Sequence, residues 1–119
     1  SIRDLATVDY KGKLIIYDIE RGTEKYNVQA HAHMGNSIDG IGGKGADFGA
    51  PELVTGGADG CVRVGIPEEE PVVSLEPAEN EPIKPDCWTV GFGNAYNQEG
   101  RCLAAGYANG AVKVVESRT

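Results

Sequence analysis

LVTGGADGCVRVGI, residues 53–66, reads as a β-hairpin. Leu53 opens a short apolar strand, Asp59-Gly60 makes the turn, and Val62 and Val64 alternate with Arg63 along the return strand. Asp-Gly between such runs is a strong hairpin signal, because the turn needs a positive φ that glycine adopts without a Cβ penalty. The same pattern stands twice more without gaps: LATVDYKGKLIIYD from Leu5 to Asp18, and LAAGYANGAVKVVE from Leu103 to Glu116. Its three starts lie 48 and 50 residues apart. Gly12, Gly60 and Gly110 take the eighth place each time, after Lys11, Asp59 and Asn109.

The spacers between hairpins add two strands each. Tyr26 to Ala30 and Ser37 to Ile41 fill the first, and Pro71 to Leu75 and Cys87 to Phe92 the second. In the last of these Trp88, Val90 and Phe92 fall on one face, so Trp88 is expected to pack between neighbouring sheets as core. Four strands in a period slightly above about 40–45 residues are the arithmetic of a propeller blade. The sequence therefore predicts an all-β chain of about two and a half four-stranded antiparallel blades, a partial β-propeller. One propeller segment covers 1–119. Residues 1–28 end one blade, 29–75 form the middle blade with an insertion loop at 42–51, 76–86 connect, and 87–119 make most of a third blade. Both ends of such a segment leave strand edges unpaired, so the reading requires further blades or other chains to complete the ring.

Composition narrows the function. Seventeen glycines beside two Phe and one Trp argue against a helical bundle. Eleven Lys and Arg against 18 Asp and Glu give a net charge of −7, which offers no footprint for nucleic acid or anionic lipid and points to protein partners. No apolar run approaches the roughly 18 residues of a membrane helix, and Ser1-Ile2-Arg3-Asp4 does not read as a signal peptide. Cys61, Cys87 and Cys102 form no CxxC pair, and Asn-x-Ser/Thr is absent, so a reduced, cytoplasmic setting is expected.

The string L-x-T-G-x-x-D-G-x-V-x-V at Leu53 to Val64, with Tyr17-Asp18 closing the first hairpin, resembles the WD repeat. Ile38-Asp39-Gly40-Ile41-Gly42-Gly43, Gly49-Ala50-Pro51-Glu52, Asp86-Cys87-Trp88-Thr89-Val90 and Phe92-Gly93-Asn94-Ala95-Tyr96-Asn97-Gln98-Glu99 look like the Monad-type branch of that family. The resemblance implies a seven-bladed propeller without catalysis, acting as an adaptor for prefoldin-like and RuvB-like co-chaperone subunits. It also implies dynein assembly intermediates as partners, and a cytoplasmic, ciliary or axonemal location. The family's buried hydrogen-bonded network would draw on His31, Thr55 and Asp59, with a Trp as fourth member. Here Gly65-Ile66 and Val115-Glu116 stand where Trp-Asp is the family signature, and Ala108 and Ala111 replace turn residues that are often acidic. With Gly65 in place of Trp, the middle blade is expected to be weakened or its polar residues to reach water. The second reading is a structural or engineered propeller fragment that functions only in assembly with other chains.

Other constellations carry less. His31-Ala32-His33 puts two imidazoles on one side of an extended strand, and with Asp39 they would approach a metal set, but a structural His31 and a loop His33 explain them more simply. Gly40-x-Gly42-x-x-Gly45 with Lys44 imitates a phosphate loop, yet Gly49 and Pro51 leave no room for the helix such a loop needs. Cys87 lies inside an alternating strand and reads as a structural thiol. No catalytic set, metal or cofactor follows. Lys44, Asp47 and Phe48 of the insertion loop, and Glu68, Glu69 and Glu70, are the candidate interaction residues.

Overall fold

The computed structural model describes residues 4–42, 52–65, 73–77, 80, 84–93 and 101–116. Ten strands run through them: β1 (Asp4–Val8), β2 (Lys13–Asp18), β3 (Thr23–Gln29), β4 (Gly35–Ile41), β5 (Glu52–Gly57), β6 (Val62–Gly65), β7 (Val73–Leu75), β8 (Cys87–Gly93), β9 (Cys102–Tyr107) and β10 (Val112–Glu116). They form three antiparallel sheets in simple sequence order, β1-β2-β3, β4-β5-β6-β7 and β8-β9-β10. Equivalent hairpins share one register, with Leu5 opposite Tyr17, Leu53 opposite Gly65 and Leu103 opposite Val115.

The three turns are alike and longer than a two-residue hairpin. Gly12, Gly60 and Gly110 donate to the carbonyls of Asp9, Gly57 and Tyr107 over 3.0–3.1 Å, and their φ angles are 84°, 78° and 87°. A turn that ends on a glycine in the left-handed region matches the right-handed twist of the flanking strands. In the second and third turns the residue before glycine steadies the chain, as Asp59 Oδ1 accepts from Cys61 N–H and Asn109 Oδ1 from Ala111 N–H. Lys11 offers no acceptor at that place. Asp9 substitutes for it, taking the Lys11 and Lys13 N–H groups on Oδ1, and so Lys-Gly turns as Asp-Gly does.

The core lies between the second and third sheets. Val54, Val62 and Val64 meet Cys87, Val90, Leu103, Ala105 and Tyr107, with Leu75, Phe92 and Val115 packed around them. Burying each large aliphatic side chain stabilises by about 1.5–3 kcal/mol. Glycine permits the close approach: a Cβ on Gly56 would stand 2.6 Å from the Cys87 sulfur. The first sheet contributes little, with Ile16 its one buried hydrophobic residue among those described.

Trp88 departs from the expected core position. The β8–β9 pairing shifts register between Cys87 and Thr89, which breaks the alternation, and leaves the indole 55% exposed while Cys87 and Val90 are buried. Val112 and Val114 of β10 are also exposed, at 69% and 67%.

Candidate functional site

The turns before β2, β6 and β10 are each tied to chain that enters a sheet. Gly12 accepts from the Ala30 and His31 N–H groups, Ala58 N–H donates to Met34, and Ala108 N–H donates to Asp86. His31, Thr55 and Asp59 meet at the middle turn. His31 Nδ1 lies 3.0 Å from Asp59 Oδ1, and His31 Nε2 lies 2.8 Å from Thr55 Oγ1. Asp59 also accepts from Ala32 N–H at 2.8 Å and from Cys61 N–H at 3.0 Å. Because the carboxylate only accepts, Nδ1 carries the proton, and Thr55 donates its hydroxyl to Nε2.

Burial sets the ionisation. Desolvation lowers the His31 pKa below 6.5, against the pull of Asp59 and aided by the Arg63 charge, so the ring is neutral at pH 7. For Asp59 burial pushes upward, but the Ala32 and Cys61 N–H groups and His31 outweigh it and hold the carboxyl below 3.8. Of the two outcomes expected with Gly65 in place of Trp, a weakened blade or polar residues that reach water, the second is not met. His31 and Thr55 are 1% and 2% exposed, and the network closes without a tryptophan.

With both its ring nitrogens engaged, His31 is unavailable to a metal, and Asp39 is engaged too, accepting from Phe92 N–H and Gly40 N–H. Among the described residues no three His, Cys, Asp or Glu side chains gather into a metal set, and no helix is long and apolar enough to cross a membrane. The cysteines are unpaired, and burial raises the Cys61 and Cys87 thiols, keeping them protonated. Lys44, Asp47, Phe48, Glu68, Glu69 and Glu70, with Gly45, lie outside the described residues.

Two features escape a reading by motif. Strand β4 holds the outer edge of β8 with side chains: Asn36 donates to the Cys87 carbonyl, Ser37 Oγ accepts from Val90 N–H at 3.2 Å, and Asp39 Oδ2 accepts from Phe92 N–H at 2.8 Å. The polar residues at 36, 37 and 39 in an otherwise apolar strand were the available signal. The second is a cleft of about 630 Å³ beside the middle turn, bordered by His33, Asp59, Arg63, Glu76, Pro77 and Lys84 among others. Its parts are too far apart in sequence to form a motif.

No protein-family model matches the chain. It is similar to proteins named dynein axonemal assembly factor 10: 50% identical to that of Homo sapiens, 49% to that of Bos taurus and 46% to that of Chlamydomonas reinhardtii. Each alignment takes in 98% of this chain and 33% of the relative, so the chain spans about a third of their length.

Proposed function

We propose that the chain is part of a non-enzymatic protein-interaction scaffold, a WD-repeat β-propeller segment of about two and a half blades. It serves as an adaptor in the preassembly of axonemal dynein. Its partners are prefoldin-like and RuvB-like co-chaperone subunits and dynein assembly intermediates, met in the cytoplasm and at the cilium. The observation that carries this is identity of 46–50% sustained across 98% of the chain to proteins named for axonemal dynein assembly. Three sheets of similar register, each built as a meander, support the blade reading. On that reading residues 1–28, 29–75 and 87–119 belong to successive blades, with 76–86 as connector. His31, Thr55 and Asp59 serve structure and not chemistry. The insertion loop at 42–51, with Lys44, Asp47 and Phe48, and the glutamates Glu68, Glu69 and Glu70 supply interaction surface. The exposed Trp88, Val112 and Val114 of the third sheet support the reading that a further blade packs there.

Affinity capture with the tagged chain from ciliated cells, with the recovered proteins identified by mass spectrometry, tests the adaptor role. Enrichment of prefoldin-like or RuvB-like subunits is the expected result. Recovery of the chain alone refutes the adaptor and leaves the second reading, a structural fragment that only assembles.

A further inference from the structure

We propose that the cleft beside Arg63 is a docking site for an acidic side chain of an extended partner peptide, and that Glu76 occupies the place of that side chain in the unliganded chain. The proposal rests on the scaffold reading and gives the partner a chemistry. The cleft, of about 630 Å³, has the size of a ligand site and opens beside the middle turn. Arg63, Lys84 and His33 all border it, a local gathering of donors on a chain whose net charge is −7.

Asp59 borders the cleft too and stays ionised, but its carboxylate is directed at other neighbours. It accepts from His31, Ala32 and Cys61, and among the described residues it makes no hydrogen bond or ion pair with Arg63 or Lys84. Arg63 Nη1 is buried and lacks a hydrogen-bond partner, and the Glu76 carboxylate approaches it to 3.3 Å without hydrogen-bond geometry. Glu76 is a weak occupant, since its side chain is 62% exposed and leaving costs it little. A carboxylate arriving from outside in the guanidinium plane makes the paired contacts that Glu76 does not. Pro77 borders this cleft and also a smaller one of about 130 Å³, which Pro85, Tyr107 and Lys113 line. A peptide backbone leaving Arg63 therefore meets an apolar shelf and then a second cation, an arrangement that fits a peptide better than a free anion.

The test is fluorescence polarisation with labelled hexaglutamate, using hexaglutamine as the uncharged control, on the chain in whatever assembly it forms. Hexaglutamate is expected to bind and hexaglutamine not. Arg63→Gln is expected to weaken binding about tenfold, as loss of one charge-assisted contact does. Lys84→Gln weakens it less, Glu76→Gln tightens it severalfold, and Glu24→Gln, at an exposed position in β3, changes nothing. Circular dichroism checks each fold. If Arg63→Gln misfolds, the contrast of Glu76→Gln with Glu24→Gln decides. The proposal is overturned if hexaglutamate does not bind the Glu76→Gln variant, if a folded Arg63→Gln binds as the parent does, or if Glu24→Gln tightens as much as Glu76→Gln, which would be net charge alone. Partner capture by a chain that ignores hexaglutamate would remove the cleft and leave the scaffold. Hexaglutamate binding without partner capture would do the opposite.

Discussion

Thr55→Val removes one hydroxyl and keeps the shape of the side chain. In the native network the ionised Asp59 claims the proton on His31 Nδ1, so Nε2 is a bare acceptor that the Thr55 hydroxyl meets at 2.8 Å. In the variant Nε2 faces a methyl group. Tautomer exchange offers no escape, because it would aim a lone pair of Nδ1 at the carboxylate, and the ring is only 1% exposed, so water does not reach it. A buried acceptor left without its donor costs about 1–3 kcal/mol. With a urea dependence of about 1–3 kcal/mol per molar, the unfolding midpoint should fall by roughly 1 M. Urea unfolding followed by far-UV circular dichroism at fixed protein concentration measures it. Thr89→Val, at an exposed position on β8, is the control and should stay within about 0.5 kcal/mol of the parent. A Thr55→Val midpoint indistinguishable from that of the Thr89→Val control would refute the network's part in stability.

Gly57→Ala should destabilise by about 1–3 kcal/mol in the same assay, since its Cβ would stand 2.6 Å from His31 Cγ and Nδ1 and force the ring off Asp59. Stability should also fall with acid. The folded pKa of His31 lies below 6.5, so the unfolded chain takes up protons first, and the neutral ring's contribution, complete above 6.5, is lost as pH drops from there through the folded value. Asp59 repeats the loss below 3.8, and thermal unfolding from pH 8 to pH 3 should show both falls, the upper one vanishing in His31→Gln. Asp39→Ala leaves the half-buried Phe92 N–H without its acceptor and should lower stability by about 1–2 kcal/mol while loosening β8, read as faster amide exchange at Phe92 and Val90.

The hairpins were legible because everything that makes them is local. A glycine in eighth place and alternating apolar residues fix the turn and the register within fourteen residues, and β1-β2, β5-β6 and β9-β10 all stand where that pattern puts them. His31, Thr55 and Asp59 could be named only through the likeness to WD repeats. Their state could not, since the likeness counted a missing tryptophan as a gap, whereas Ala32 and Cys61 N–H groups and tight burial complete the network by other means. Trp88 went astray for a local reason: strict alternation assumes no bulge, and a register shift at that residue turns the indole outward. The Arg63–Glu76 pair joins β6 to chain beyond β7, and the Asp39–Phe92 bond spans 53 residues, so only the packing of elements brings either together.

On the proposed reading these three sheets belong to a larger ring and do not suffice as a closed body. Size-exclusion chromatography with light scattering on the isolated chain tests that most directly. A mass well above 12.6 kDa, or association that grows with concentration as the Trp88 and β10 surfaces find cover, is the predicted result. A compact, soluble monomer of 12.6 kDa would contradict it.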